Sequence, residues 1–212
     1  MPKKIGVICA MEREFGLFAG CSENIFCALS GVGKVNAAIA AERLINDNHP
    51  DCIISLGVAG TFTEGIEEGD FVIASKVAYH DVWCGNGNEP GQIQGLPLYF
   101  YSDPILLKCA QGALVNAKTG LICSGDQFYI SREEDQRQKE MFPEVLAIDM
   151  EAAAIAQVCH IHKIPFLAIK IISDNHLHQS QEERYESFWS NLADESFKAA
   201  TAIIEKISNQ YE

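Results

Sequence analysis

The chain has 212 residues, of which 48% are hydrophobic and 21% charged, and its formal net charge is -13. This composition is typical of one globular domain, here residues 1–212, and the negative charge disfavours nucleic acid because phosphate backbones are bound by clustered Lys and Arg. Apolar runs are shorter than the roughly 18 residues of a membrane span and no export signal precedes the first strand, so we expect a cytoplasmic protein without membrane contact.

Apolar runs and helical spacings alternate along the chain. Strands are predicted at 4–10, 24–29, 51–56, 71–79, 117–123, 145–148 and 165–172, and helices at 11–19, 33–48, 105–114, 132–141, 152–160 and 181–208. Residues 57–60 (GVAG) are predicted to form a small-residue turn, and residues 81–103 a long loop. The alternation of strands and helices predicts an α/β layer architecture with a largely buried sheet.

Three acidic residues follow three predicted strands. Glu14 comes after the first strand, Glu151 after 145–148, and Asp174 just past the end of 165–172. Each alone is also explained as a helix first-turn acid or a turn cap. Ligands of open α/β sheets bind outside the carboxyl ends of strands, and paired carboxylates suit acid/base chemistry. Their joint placement therefore predicts an active site.

A glycine-containing segment, residues 31–35 (GVGKV), lies between the second strand and the next helix. It lacks the first glycine and the Ser or Thr of a P-loop, and Asn36 replaces the third glycine of the dinucleotide-binding pattern. The segment is predicted to be a tight turn. A purely structural turn and a ligand-contact loop both remain open.

The chain contains eight cysteines and no C-x-x-C pair. Several lie in apolar strand-like runs, so we expect reduced, buried thiols rather than disulfides. The string Asp174-x-His176-x-His178 is compatible with a metal site, but no second cluster with ligand spacing accompanies it. We expect no metal and no cofactor.

Six short motifs occur in order along the chain: residues 10–14 (AMERE), 30–35 (SGVGKV), 79–81 (YHD), 124–128 (SGDQF), 150–152 (MEA) and 172–174 (ISD). Together they resemble the 5'-methylthioadenosine/S-adenosylhomocysteine nucleosidases of the nucleoside phosphorylase superfamily, over about residues 3–205. The resemblance implies a single-domain three-layer sandwich with a central mixed, largely parallel β-sheet flanked by helices. It also implies a homodimer.

The resemblance further implies hydrolysis of the N-glycosidic bond of a 5'-thio-substituted adenosine, with release of adenine. By motif, Glu14 resembles the carboxylate that activates water, Glu151 the one that binds the ribose hydroxyls, and Asp174 the acid that protonates purine N7. The remaining expected substrate contacts are Met150 beside the sugar, Ser173 supporting Asp174, Phe128 stacking on the base, the backbone of Tyr129 at the base edge, Val32 and Tyr185 in the alkylthio pocket, and Gly60.

This chemistry is physically reasonable for the residues present. Cleavage of a glycosidic bond builds an oxocarbenium-like centre, and a carboxylate near it stabilises the developing positive charge. The adenine anion leaves poorly, so protonation of N7 assists its departure. For that role Asp174 must hold a proton near neutrality, which requires a pKa raised by burial or by a neighbouring negative charge.

The chain departs from the family pattern in four places. The segment between Glu14 and Gly31 is short, Val58 stands where Ser is common, and Lys170 replaces a frequent Arg near the ribose. The loop after residues 80–81 lacks an aligned Phe that, in relatives, reaches the neighbouring subunit's pocket. Trp83 or the aromatic cluster at 99–101 is a candidate substitute.

Three alternative functions stay open. A phosphorylase of the same superfamily needs cationic residues for phosphate, whereas Glu14 follows the first strand here; Arg13 is the one unexplained cation. A futalosine-type hydrolase is suggested by residues 57–62 (GVAGTF). A binding protein without turnover is the third alternative, and it predicts the loss of at least one of the three carboxylates.

Overall fold

The computed structural model describes residues 3–18, 22–128, 132–177 and 181–211. Within those ranges it contains strands and helices that alternate as the sequence predicts. The elements are β1 (Ile5–Cys9), α1 (Glu12–Leu17), β2 (Ile25–Leu29), α2 (Lys34–Asn48), β3 (Cys52–Thr61), β4 (Phe71–Tyr79), β5 (Phe100–Tyr101), α3 (Pro104–Ala113), β6 (Lys118–Ser124), α4 (Arg132–Met141), β7 (Val145–Asp149), α5 (Ala152–His162), β8 (Phe166–Asn175), α6 (Gln181–Asn191) and α7 (Ala193–Gln210).

The strands form one mixed sheet in the order β2-β1-β3-β7-β6-β4-β5, with β8 pairing to both β3 and β4. The pairings β1–β2, β1–β3, β3–β8, β4–β6 and β6–β7 are parallel, whereas β3–β7, β4–β5 and β4–β8 are antiparallel. The mixed, largely parallel sheet is therefore confirmed. The sheet is not open throughout, because β3, β7, β6, β4 and β8 pair in a closed ring.

Helices cover both faces of the sheet. Side chains alternate along β8, so that Leu167, Ile169 and Ile171 join the apolar cluster under α3, α6 and α7. Phe166 and Ala168 join the cluster under α2 and α5 instead. This two-sided burial explains the continuous apolar run of the strand and confirms the three-layer arrangement.

The predicted turn at residues 57–60 is wrong, because β3 continues through it to Thr61. Its pairing with β8 runs from Ile53 to Thr61, with a register irregularity between Ala59 and Gly60. The small residues here make room for neighbouring side chains rather than reverse the chain. A Cβ at Gly57, for example, would lie 2.6 Å from Oε1 of Glu14.

The predicted end of the last strand is also wrong. Asp174 lies inside β8, where it is paired with Gly60 of β3, and the strand continues to Asn175. The sequence signal stopped at Ile172 because the following side chains are polar. They are nevertheless buried, with Ser173, Asp174 and Asn175 each 1% exposed. The polar stretch is thus a buried part of the sheet.

The single helix predicted over 181–208 is two helices, α6 and α7, separated at Leu192. Apolar spacing continues across the break, which hid it from a periodicity argument. Trp189 of α6 stacks on Phe197 of α7, with ring centroids 6.3 Å apart. The segment 81–103 is mainly irregular, as predicted, except for the short edge strand β5.

Six cysteines are free in the described part of the chain, and four of these, including Cys9 and Cys123, are buried. Cys27 is disulfide-bonded, so the expectation of reduced thiols throughout is wrong at that position. No helix among the described residues has the length and apolarity required to cross a membrane. The cytoplasmic location stays a prediction.

The packing of α7 provides a test of the fold. Phe197 is fully buried against the sheet and Trp189, so Phe197→Ala should lower the free energy of unfolding by about 3–5 kcal/mol through lost burial and a residual cavity. Val115→Ala is the matched control, since Val115 is 87% exposed and its truncation should change stability little. Urea denaturation measures both, and equal stabilities of the two variants would contradict this packing.

Candidate active site

A cavity of about 340 Å³ opens where β1, β3, β7 and β8 reach their carboxyl ends. Every expected site residue that the structure describes lines it, and Tyr129 lies outside the described residues. The lining includes Glu14, Val32, Gly60, Phe128, Met150, Glu151, Ser173, Asp174 and Tyr185. Side chains from seven segments far apart in sequence thus converge on one volume.

Glu14 is fixed by the backbone. Its Oε2 accepts hydrogen bonds from the amides of Ala10 and Met11 at 2.8 and 2.9 Å, and its Oε1 accepts one from Val58 at 2.8 Å. Burial raises the pKa of Glu14, while the charge of Lys170 and these three amides act in the opposite direction. Glu14 is a first-turn acid of α1, because Met11 is the N-cap of that helix. The hydrogen bond from the amide of Val58 on β3 also holds its carboxylate at the cavity.

A buried ion pair lies behind the cavity wall. Nζ of Lys170 is 2.8 Å from Oδ2 of Asp149, and both side chains are at most 2% exposed. The other carboxylate oxygen of Asp149 accepts a hydrogen bond from Ser124 Oγ, and its Oδ2 also accepts one from the amide of Ala152. Burial alone would lower the pKa of Lys170, but the charges of Asp149, Glu151 and Glu14 raise it, so the amine is held as a cation.

Glu151 connects this pair to the loop at residues 31–35. Its Oε1 accepts a hydrogen bond of 2.9 Å from the amide of Gly33, and the residue is 6% exposed. Burial and the charge of Asp149 raise the pKa of Glu151 to about 7, against the opposing charge of Lys170. Glu151 therefore changes its protonation state near neutral pH.

The loop at residues 31–35 is both a structural turn and part of the cavity. Gly31 and Gly33 have positive φ angles of 86° and 96°, which glycine adopts without strain. Val32 lines the cavity. Lys34 anchors the loop through an ion pair of 2.7 Å with Asp81, so the two interpretations left open by the sequence apply together.

Asp174 lies among polar neighbours. Its Oδ1 accepts a hydrogen bond of 2.6 Å from Ser173, and its Oδ2 accepts one of 2.9 Å from Gln181. Nε2 of His176 lies 3.1 Å from the same Oδ2, and Nδ1 of His176 lies 2.8 Å from Asp135. His176 is thus engaged by two carboxylates.

The metal hypothesis finds no arrangement to support it. His178 lies outside the described residues. Among those that are described, no group of three or more His, Cys, Asp and Glu side chains is arranged to hold an ion.

An aromatic wall closes one side of the cavity. The rings of Phe128 and Tyr185 meet edge to face with centroids 5.7 Å apart, and the hydroxyl of Tyr185 lies 3.5 Å from the sulfur of Met11. Phe128 is 51% exposed, which leaves its ring accessible to a planar ligand.

Sequence reasoning did not assign four polar lining residues to the site: Gln127, Asp149, His176 and Gln181. The sequence analysis considered His176 only as a possible metal ligand, although it lies two residues from Asp174. No comparable signal marked Gln181, which reaches the site from α6. Asp149 was predicted to lie one residue past a strand and was given no role, whereas it is the last residue of β7.

The structure shows where the residues that depart from the family pattern lie. Trp83 and Tyr101 are 69% and 70% exposed and remain available to a partner, whereas Phe100 is buried at 4%. Arg13 lies over the ring of Trp189 and 3.8 Å from Glu186 on the surface, and it does not line the cavity. Val58 lines the cavity and donates its amide to Glu14.

Comparison with known proteins gives consistent results. Residues 21–205 match the phosphorylase superfamily. The 5'-methylthioadenosine/S-adenosylhomocysteine nucleosidases of Tolumonas auensis and Aeromonas salmonicida are 38% and 36% identical to the chain. The matches cover 81% and 87% of the chain and 86% and 90% of those proteins.

A solved structure agrees with these relatives. The nucleosidase of that name from Neisseria meningitidis, in complex with methylthio-immucillin-A, superposes with a TM-score of 0.89 at 36% identity. The match covers 96% of the chain and 99% of that structure. The chain belongs to the phosphorylase superfamily, and within it to the 5'-methylthioadenosine/S-adenosylhomocysteine nucleosidases.

Proposed function

We propose that this protein hydrolyses the N-glycosidic bond of 5'-methylthioadenosine and S-adenosylhomocysteine and releases adenine. The observation that carries the proposal is the convergence of Glu14, Glu151 and Asp174 on one cavity. In the proposed reaction Glu14 takes a proton from the attacking water, Glu151 binds the ribose hydroxyls, and Asp174 protonates purine N7.

The remaining lining residues suit the rest of such a substrate. The accessible ring of Phe128 would stack on adenine, with the Tyr129 backbone at the base edge and Ser173 orienting Asp174. Met150 would pack beside the sugar. The alkylthio group would lie beside Val32 and Tyr185, and Gly60 would also contact the substrate.

Charge favours water over phosphate as the nucleophile. No Lys or Arg occurs among the described residues that line the cavity, whereas four carboxylates do. The buried cation Lys170 is already paired with Asp149, and His176, which lines the cavity, is already engaged by Asp174 and Asp135. A phosphate dianion would meet uncompensated negative charge, while a neutral water molecule would not.

The first test is adenine release from methylthioadenosine in phosphate-free buffer and again with phosphate added. We expect release without phosphate, and Glu14→Gln and Asp174→Asn should each lose on the order of 10²- to 10⁴-fold in kcat. The controls Glu12→Gln and Asp194→Asn change exposed carboxylates on α1 and α7 and should retain activity. Release only with phosphate would establish a phosphorylase, and no release would leave futalosine hydrolysis or binding without turnover.

The raised pKa of Glu151 predicts a pH-dependent stability. Its pKa is about 7 in the folded protein against an ordinary 4.5, so the folded state keeps a proton that the unfolded state has lost. Raising the pH from 4.5 to 8 should therefore destabilise wild type relative to Glu151→Gln, by on the order of 1–3 kcal/mol. Urea titrations of both proteins at several pH values measure this, and parallel stability curves would contradict it.

We also propose a homodimer whose interface includes the exposed apolar face of α2. Val35 and Ile39 lie one helical turn apart and are 70% and 45% exposed, and Val32, at 46%, extends this face to the cavity rim. Apolar side chains clustered on a surface are typical of a protein interface.

The interface prediction is tested by light scattering after size-exclusion chromatography. The double variant Val35→Asp/Ile39→Asp should dissociate the dimer, because it buries unpaired charge, while Val115→Asp at a distant exposed position should leave it intact. A dimer that survives the double change would place the interface elsewhere, and a monomeric wild type would overturn the proposal.

A further inference from the structure

His176 is held between two carboxylates on the base side of the cavity. Its Nε2 lies 3.1 Å from Oδ2 of Asp174, and its Nδ1 lies 2.8 Å from Oδ1 of Asp135 on α4. The His176 side chain is 6% exposed. An imidazole with a carboxylate oxygen against each nitrogen donates from both when it is protonated. The two carboxylates therefore favour the imidazolium form, whereas the amide nitrogen of Gln181, 2.7 Å from Nε2, can donate only to the neutral ring.

The surrounding residues fix this geometry. A Cβ at Gly60 would lie 2.9 Å from Nε2 of His176, so only glycine at that position leaves room for the ring. Gln181 donates to Oδ2 of Asp174 and lies 2.7 Å from Nε2 of His176, and the ring of Phe62 lies 6.5 Å away. The close contact between His176 and Asp174 is thus built by three elements, β3, β8 and α6.

We propose that His176, oriented by Asp135, is the positioning residue that supplies Asp174 with the proton it gives to the purine. The inference rests on the proposed nucleosidase function and deepens it. His176 acts through Asp174 rather than on the substrate.

Every proton of the proposed hydrolysis is accounted for. The His176 imidazolium gives its Nε2 proton to the Asp174 carboxylate, leaving a neutral imidazole whose Nδ1–H still bonds to Asp135. Asp174 gives the proton to N7 as the C1'–N9 bond breaks, so the base leaves neutral. Water attacks C1' and its proton passes to Glu14. Glu14 then releases a proton to solvent, and His176 takes one up.

A route for that uptake is present. A second cavity of about 250 Å³ is also lined by His176, together with Phe62, Asp135, Gln136 and Lys139. A base seated against Phe128 and Asp174 would cover the first cavity, whereas this second one reaches the ring from α4. His176 therefore connects the two cavities.

Charge and burial around the ring support its protonation. Among the described residues, the charged groups that face it are Asp174 on β8 and, on α4, Asp135 and Lys139, which borders the same cavity. Burial alone would lower the pKa of His176, but the hydrogen bonds to Asp135 and Asp174 and their charges raise it to about 9. The imidazolium is thus present throughout the neutral range.

The pH profile of kcat tests the relay. Wild type should keep its activity up to the pH at which His176 loses its proton. In His176→Gln the alkaline limb should lie about one pH unit lower or more, because the proton donor behind Asp174 is lost. Asp135→Asn should give an intermediate limb. Glu140→Gln, an exposed change on the same helix outside the second cavity, is the control and should match wild type. An alkaline limb that is unchanged in His176→Gln would overturn the proposal.

Two further measurements separate the relay from folding defects and from the proposed function. Imidazole added to His176→Ala should restore activity through the second cavity, and it should restore none to His176→Ala/Asp174→Asn.

The imidazole titration of His176, followed by NMR, requires no turnover and should give a pKa well above 6.5 that falls in Asp135→Asn. An ordinary pKa there would overturn the relay even in an active enzyme. Absence of adenine release by wild type would instead overturn the proposed function and, with it, this catalytic role of His176.

Discussion

Lys170 is one buried cation beside three buried carboxylates, and the chemistry of the site depends on this imbalance of charge. Lys170 is paired directly with Asp149, and its charge also acts on Glu14 and Glu151. Charges removed from water are costly unless they are paired. A single amine leaves an excess of negative charge. Burial raises the pKa of Glu14, and burial together with the charge of Asp149 raises the pKa of Glu151 to about 7.

The strands β3 and β8 divide the cavity into two parts, and each part has its own cation. Lys170 lies within β8 on the side of Glu14 and Glu151, and His176, just past the end of the same strand, faces Asp174. Glycines of β3 provide the space in both parts, since a Cβ at Gly57 would meet Glu14 and one at Gly60 would meet His176. The register irregularity between Ala59 and Gly60 separates the two halves. In the proposed reaction the first part handles water and sugar, and the second handles the base.

The sequence predicted the carboxylates because strand ends are visible as local patterns. Glu14, Glu151 and Asp174 each follow an apolar run, and parallel strands bring such positions to one edge. Interactions between distant residues had no local signal. Asp135 and His176 are 41 positions apart and meet only because the fold brings α4 beside the residue that follows β8. Residues 57–60 resembled a turn because small residues are common in turns, whereas pairing with β8 keeps them extended. The break at Leu192 was hidden because apolar spacing continues from α6 into α7.

The excess negative charge has two consequences that point in the same direction. A cavity lined by carboxylates, with its buried Lys170 already paired, repels a phosphate dianion and admits a neutral water molecule. The same field stabilises positive charge that develops on a sugar ring as its glycosidic bond breaks, and it does so most strongly in the transition state. Because burial keeps water from screening these charges, selection of the nucleophile and stabilisation of the oxocarbenium-like centre arise from one arrangement. Hydrolysis is therefore the reaction that the buried charges around Lys170 favour over phosphorolysis.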